Sequence, residues 1–294
     1  MKKLIRDNTI NMVKMINVEE NFKVNEEELL VEVLTVGLCR TDLLVAKGEI
    51  AKNKEKVVLG HEFCARVVKD GSNKIEEGTL VGFNPLFKGE FMGLDFDGAL
   101  AERIVIPREN TVVVKKESKL NPKEIAYLEP VAASAAPLKV LNKPSKVLLI
   151  GNNRISSLTE VILKSYGHEV IVVNENELSS IENNSFEYII ETVLNDEVVK
   201  NIPRILIEGG TWILKSRKKT TTNFISTDFI SKEIIIRAVN YYDFEKTLNW
   251  LDENADSVGF LLGKEYSFFD WSDAFEDAMS NEKHKIFIEV NKYK

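Results

Sequence analysis

Apolar and polar positions alternate through Leu29–Val36, and the same texture returns in Glu62–Val68 and Thr79–Phe83. Alternation with a period of two puts successive side chains on opposite faces of a strand. Leu100–Ile106 and Thr111–Val114 follow, separated by the turn-rich run Pro107-Arg108-Glu109-Asn110, and Gly71 and Gly78 mark turns earlier. Many short strands with turn signals between them predict a barrel-like β domain in this first part of the chain.

The pattern changes near residue 121. Asn121 ahead of Pro122 is a helix-start signal, with Asn as cap and Pro at the first helical position. Ile125–Leu141 reads as mostly helix, broken by Pro130 and Pro137. Lys146–Ile150 is then a continuous apolar run, as expected of a parallel strand covered on both faces. Gly151 ends it. Ser157-Leu158-Thr159-Glu160 has capping-box spacing, Ile155, Leu158 and Ile162 make an apolar stripe, and Gly167 is placed to stop that helix. Glu169–Val173, Tyr188–Glu191, Thr211–Lys215 and Ile234–Val239 read as further strands, with helices near 196–208 and 243–254. Alternating strands and helices predict a doubly wound parallel sheet, so the fold class is α/β. Trp271–Met279 reads as a helix and Lys285–Val290 as a last strand, which extends the parallel sheet or returns to the first domain.

With 294 residues, 44% of them hydrophobic, the chain has room for two domains. The net charge of −7 comes without any basic stripe, which argues against a nucleic-acid partner. No window is apolar enough to span a membrane, and the charged start Met1–Asp7 lacks the apolar run of a signal peptide. Two cysteines are no disulfide framework, so a reducing, cytoplasmic setting is expected. The run Lys215–Lys219 reads as a solvated loop.

The scarcity of cysteine and histidine draws attention to where they fall. Of Cys39, Cys64, His61, His168 and His284, two join carboxylates in one short stretch: Cys39-Arg40-Thr41-Asp42 and, about twenty residues on, Gly60-His61-Glu62. Thiolate, imidazole and carboxylate are zinc's preferred donors, and a catalytic site holds the ion by three protein groups with a fourth position open. Glu129, in Glu129-Pro130 between the two domains, offers one more carboxylate for a site in an interdomain cleft. Cys64 reads instead as a core strand residue, His168 as a partner of a helix C-terminus, and His284 as solvated.

The motifs Gly-Leu-Cys-Arg-Thr-Asp (37–42), Gly-His-Glu (60–62), Gly-Ala-Leu-Ala-Glu (98–102) and Leu-Glu-Pro-Val-Ala (128–132) resemble, in order and spacing, the zinc-dependent medium-chain dehydrogenase/reductase family, and most of all its polyol and threonine dehydrogenase branch. The resemblance implies a GroES-like β-barrel catalytic domain (1–137), a shortened Rossmann domain (138–260) and a C-terminal segment (261–294) returning to the first. It implies one catalytic zinc held by Cys39, His61 and Glu129, with Glu62 a fourth or exchanging ligand. Thr41 would relay a proton from the alcohol, Asp42 would orient His61, and Arg40 would meet the cofactor pyrophosphate. The reaction implied is hydride transfer between a secondary alcohol (a polyol or amino alcohol) or its ketone and NAD(P). A small-molecule substrate and a homodimer or homotetramer are implied with it.

Three departures from the family pattern bear on this. No cysteines follow Asn84-Pro85-Leu86, so the structural zinc lobe is absent. The glycine fingerprint reads Gly151-Asn152-Asn153-Arg154-Ile155-Ser156 and keeps only its first glycine. Asn153 and Arg154 therefore stand where phosphates come close, and Asn174 stands where an acidic residue meets the ribose. The next strand begins so soon after Asn174 that a helix and strand of the adenosine side are missing. These departures favour, as an alternative, a zinc-retaining member with altered or lost nucleotide binding, acting as a lyase or isomerase or as a binding or regulatory protein.

Overall fold

The computed structural model describes residues 1–50, 54–217 and 221–293. Lys218 and Lys219 of the expected Lys215–Lys219 loop lie outside the described residues. The chain divides into two units, Met1–Pro130 with Phe244–Lys294, and Val131–Asp243.

The first unit begins with β1 (Lys2–Asp7), β2 (Met12–Asn17), β3 (Glu28–Gly37), α1 (Arg40–Lys47), β4 (Lys56–Val58) and β5 (Glu62–Asp70). It continues with β6 (Leu80–Phe83), a hairpin of β7 (Leu86–Phe87) and β8 (Glu90–Phe91), β9 (Arg103–Pro107), β10 (Thr111–Val113), α2 (Pro122–Ala126) and α3 (Leu128–Ala135). Asn121 caps α2 as expected, accepting from the Lys123 and Glu124 amides. The strand β3 organises this unit. One edge pairs with β5, and the other is shared, β9 taking Glu28–Glu32 and the last strand of the chain taking Thr35–Gly37. Alternate residues Leu29, Val31 and Val33 are fully buried in a common core with Phe63, Ala65, Val67 and Leu100.

The second unit carries β11 (Lys146–Ile150), α4 (Arg154–Ser165), β12 (Glu169–Val173), β13 (Phe186–Glu191), α5 (Asp196–Ile205), β14 (Leu206–Leu214), α6 (Ser226–Ile230) and β15 (Ile235–Ala238). Among the described residues its five strands are parallel in the order β12-β11-β13-β14-β15. Val147–Ile150 is buried throughout, the covered central strand that its unbroken apolar run predicts.

Some local expectations need correction. The helix after β11 is capped by Asn153, one turn before the Ser157–Glu160 signal, because Asn153 Oδ1 reaches the Ile155 and Ser156 amides at 2.9 and 3.1 Å. His168 is no charged helix partner. Burial lowers its pKa, and Nδ1 accepts the Ser145 amide at 3.2 Å, which requires an unprotonated nitrogen. The helix expected to run to residue 208 ends at Ile205, and β14 starts at once, well ahead of Thr211.

The tail comprises α7 (Phe244–Val258), β16 (Leu262–Ser267), α8 (Trp271–Ser280) and β17 (Lys285–Glu289). Helix α7 packs on α2 and β10, so contacts return the chain to the first unit at Phe244, where the sequence placed that return at residue 261. Of the two placements open for the last strand, the structure takes the second: β17 lies antiparallel to β3, with Phe287 opposite Gly37.

Candidate metal centre and nucleotide-binding unit

Cys39 and His61 are far apart in sequence, and the β3–β5 register brings them together. Gly37 pairs with Glu62 across the ladder. The chain leaves β3 one residue later and turns into α1 with Cys39 as its N-cap, while His61 and Glu62 stand at the start of β5. One donor atom each from Cys39, His61 and Glu62 therefore falls within 4.8 Å of the others. His61 and Glu62 are 1% and 2% exposed, and Asp42 1%.

Asp42 fastens this corner. Its Oδ2 accepts the Cys39 amide at 3.0 Å and its Oδ1 the Gly60 amide at 2.9 Å, and Oδ1 also lies 3.4 Å from His61 Nδ1. A carboxylate on one ring nitrogen fixes the imidazole and leaves the opposite nitrogen for a metal. Gly60 is needed there: its φ is +92°, and a Cβ would come 3.1 Å from the Leu100 amide.

The electrostatics follow from burial and proximity. Burial would raise the Cys39 thiol, but the His61 imidazolium outweighs it and brings the thiol down to about 7. Burial would lower His61, but the charges of Asp42 and Cys39 hold its pKa well above the ordinary value. Asp42 is likewise held below the usual carboxylate range, by His61 against the cost of burial. In Cys64 nothing opposes burial, which pushes its thiol far up and leaves an inert core residue.

Lys285 was not marked as a site residue by sequence. It opens β17, is 2% exposed, and forms an ion pair with Glu62. A Cβ on Gly37 would come 2.8 Å from Glu62 Oε2 and 2.9 Å from Lys285 Cε, so the bare glycine makes room for the pair. The available signal was a lysine at the head of an apolar strand, a charge that needs a partner if buried. Burial still dominates at Glu62 and pushes its carboxyl up to about 7 against the pull of Lys285. A group raised in this way takes up a proton on folding. Its stabilising contribution is full below its ordinary pKa of 4.5 and is lost as pH rises through about 7. Metal-free Glu62→Gln is accordingly expected to lose less stability than metal-free wild type between these pH values. Urea unfolding at both ends of the window measures this, and equal losses would show that Glu62 ionises normally.

The remaining expected site residues are spread over both units. Glu129 lies in α3, 6% exposed, outside the set of donors within 4.8 Å, though near enough that its charge raises the Cys39 pKa. Thr41 is half-buried in the first turn of α1, and Arg40 is exposed at its start. Phe91, on the hairpin where the family's extra cysteines are missing, sets its ring edge-on to His61 with centroids 4.9 Å apart. In the second unit, Gly151 ends β11 with φ +126°. Asn153 caps α4, Arg154 begins it, and Asn174 caps a short 3-10 turn over Glu175–Ser180.

The donor set suits zinc. His61 Nδ1 and Glu62 Oε2 are buried polar atoms that lack a hydrogen bond of good geometry, although each faces an opposite charge.

Residues 25–117 match the alcohol dehydrogenase GroES-like domain. Over nearly its whole length the chain is 22% identical to L-galactonate-5-dehydrogenase of Escherichia coli K12 (89% of this chain, 91% of the relative) and 23% identical to D-arabitol-phosphate dehydrogenase of Enterococcus avium (90% and 91%). These matches support a zinc-type medium-chain dehydrogenase/reductase. The fold agrees: a short chain alcohol dehydrogenase of Escherichia coli CFT073, solved with the cofactor NADH, superposes with a TM-score of 0.85 at 18% identity over 99% of both chains. The GroES-like unit thus holds the thiol–imidazole–carboxylate cluster, with Cys39 half-buried and His61 and Glu62 buried, and the Rossmann unit has five strands among the described residues.

Proposed function

We propose that the protein is a zinc-dependent oxidoreductase moving hydride between a secondary alcohol, of the polyol or amino alcohol class, or its ketone and NAD(P). The observation that carries this is the cluster of half-buried Cys39 with buried His61 and Glu62, and its Asp42 brace. Zinc bound there would acidify an alcohol hydroxyl, and a nicotinamide would take the hydride. Cys39 and His61 supply two ligands, and Glu129 and Glu62 the carboxylates. Asp42 keeps His61 in one orientation. The Thr41 Oγ1 hydroxyl, two residues from Cys39, carries the alcohol proton toward solvent. Phe91 narrows the space beside His61 and shields it from water. Polyol dehydrogenases among the relatives support the substrate class, and the NADH-bound solved relative supports the cofactor. A cytoplasmic, reducing setting suits the free Cys39 thiol.

Two measurements test the reading: zinc content of the purified protein, and NAD(P)H formation with a panel of secondary alcohols, polyols and amino alcohols. Zinc at about one per chain with turnover of some member of the panel is expected. A protein purified without zinc, or a zinc-loaded protein inert across the panel, would sink it.

The same reading includes assembly as a homodimer or homotetramer. β15 ends the parallel sheet with its outer edge unpaired among the described residues, and Ile235 and Ile236 are 54% and 46% exposed. Open apolar edges invite pairing with a second copy. Replacing both isoleucines by lysine is expected to turn an oligomer into a monomer in sedimentation, and an unchanged mass would place the interface elsewhere.

A further inference from the structure

We propose that the Rossmann unit takes its nicotinamide cofactor by the mononucleotide half, so that nicotinamide mononucleotide binds about as well as the full dinucleotide. The proposal rests on the cofactor reading above and concerns which part of that cofactor finds a seat.

The sheet order is the first reason. A dinucleotide-binding Rossmann sheet has a third strand beyond the second, and the adenosine half uses that side. Here β12 is the outermost strand on that side among the described residues.

The connection that replaces the missing elements is closed on itself. Asn174 caps the 3-10 turn, and its own amide donates to Glu177 Oε2 at 2.7 Å. That turns the Glu177 carboxylate inward onto the backbone. Leu178 is fully buried against Val198 and Ile202 of α5. Arg204, from the same helix, pins the segment through the Leu178 and Ile181 carbonyls, each at 2.6 Å, and through Asn183. The chain thus spends this stretch on internal bonds and builds no wall for an adenine.

The pyrophosphate position is filled in the same way. A helix N-terminus attracts phosphate through its free first-turn amides. In α4 the Ile155 and Ser156 amides are taken by Asn153 Oδ1. Asn153 Nδ2 donates to Thr192 Oγ1 at 2.9 Å, and that hydroxyl in turn donates to the Ile150 carbonyl at 3.1 Å. A side-chain bridge therefore spans the ends of β11 and β13, where glycines would leave open backbone. Beyond β13 and β14 the backbone is instead fixed for use. Glu191, 0% exposed, accepts the Lys215 and Ser216 amides at 2.9 and 3.0 Å and also the Ser216 hydroxyl. That rigid ledge is left for the nicotinamide end.

The test is a fluorescence titration of the zinc-loaded full chain with NADH, NADPH and reduced nicotinamide mononucleotide, repeated with AMP as competitor. The expected result is a dinucleotide advantage of less than about ten-fold, with millimolar AMP displacing neither ligand. An advantage of about ten-fold or more, or displacement by AMP, overturns the proposal and leaves the dehydrogenase reading standing. Failure of all three ligands to bind removes the cofactor reading and this proposal together.

Discussion

Cys39→Ala is expected to strip the protein of zinc and to end alcohol oxidation, while Cys64→Ala keeps the metal at wild-type stoichiometry. The two thiols are chemically alike and differ only in surroundings. Cys39 caps a helix beside an imidazolium that holds its pKa at about 7, so thiolate is available near neutrality. Cys64 lies in β5 with no charge to offset its burial. Losing an outer partner of a metal ligand commonly costs about 10–100-fold in affinity, and losing the ligand itself costs more. Zinc uptake should also strengthen as pH rises, because the ion binds thiolate and neutral imidazole and must displace the proton that His61 holds so firmly. Plasma mass spectrometry of the two dialysed variants decides the matter, and equal zinc in both would take Cys39 out of the centre.

The second large effect is at Lys285. Lys285→Met leaves the Glu62 carboxylate in the interior without its counter-charge, and a buried ion pair broken from one side costs about 3–5 kcal/mol. The loss should be smaller in acid, because Glu62 already resists ionisation and the missing lysine raises its pKa further. Below that pKa the carboxyl folds in neutral and little is forfeited. Pairing Lys285→Met with Glu62→Gln removes both charges and should recover most of the stability. Denaturant midpoints of the four proteins, metal-free, at acid and alkaline pH form the cycle. Lys285→Met as stable as wild type at alkaline pH would mean the pair contributes nothing.

Much of this architecture is written in local pattern. The unbroken Lys146–Ile150 run, the alternation in Leu29–Val36 and the Asn121-Pro122 start depend on neighbours a few residues away, and each element formed where its pattern placed it. The short gap after Asn174 signalled the lost strand for the same reason. Cys39 and His61 could be picked out because the chain has only two cysteines and three histidines, and Glu62 because it adjoins His61; the structure brings the three together. What sequence does not display are long-range choices. Lys285 meets Glu62 through the whole intervening Rossmann unit, and Gly37 reveals its purpose only once both neighbours are placed. Asn153 was legible as a departure from a glycine pattern, but its bridge to Thr192 depends on strand order. The return of α7 to the first unit turned on which apolar face it would cover, and periodicity alone is silent on that.

The placement of β17 also fixes a sequence of events. The strand that brings Lys285 to Glu62 fills the edge of β3 that β9 leaves open, and it is translated after the Rossmann unit. On the ribosome, Cys39, His61 and Glu62 emerge early but must wait with half an edge bare and one buried carboxylate uncompensated. Such distant closure is slow compared with forming local helices and hairpins. The Rossmann unit has every residue it needs much earlier, so the nucleotide-binding half should be native while the metal half is still incomplete. Zinc that binds to a nascent chain would then meet an unfinished site, and durable loading becomes an event of the finished protein.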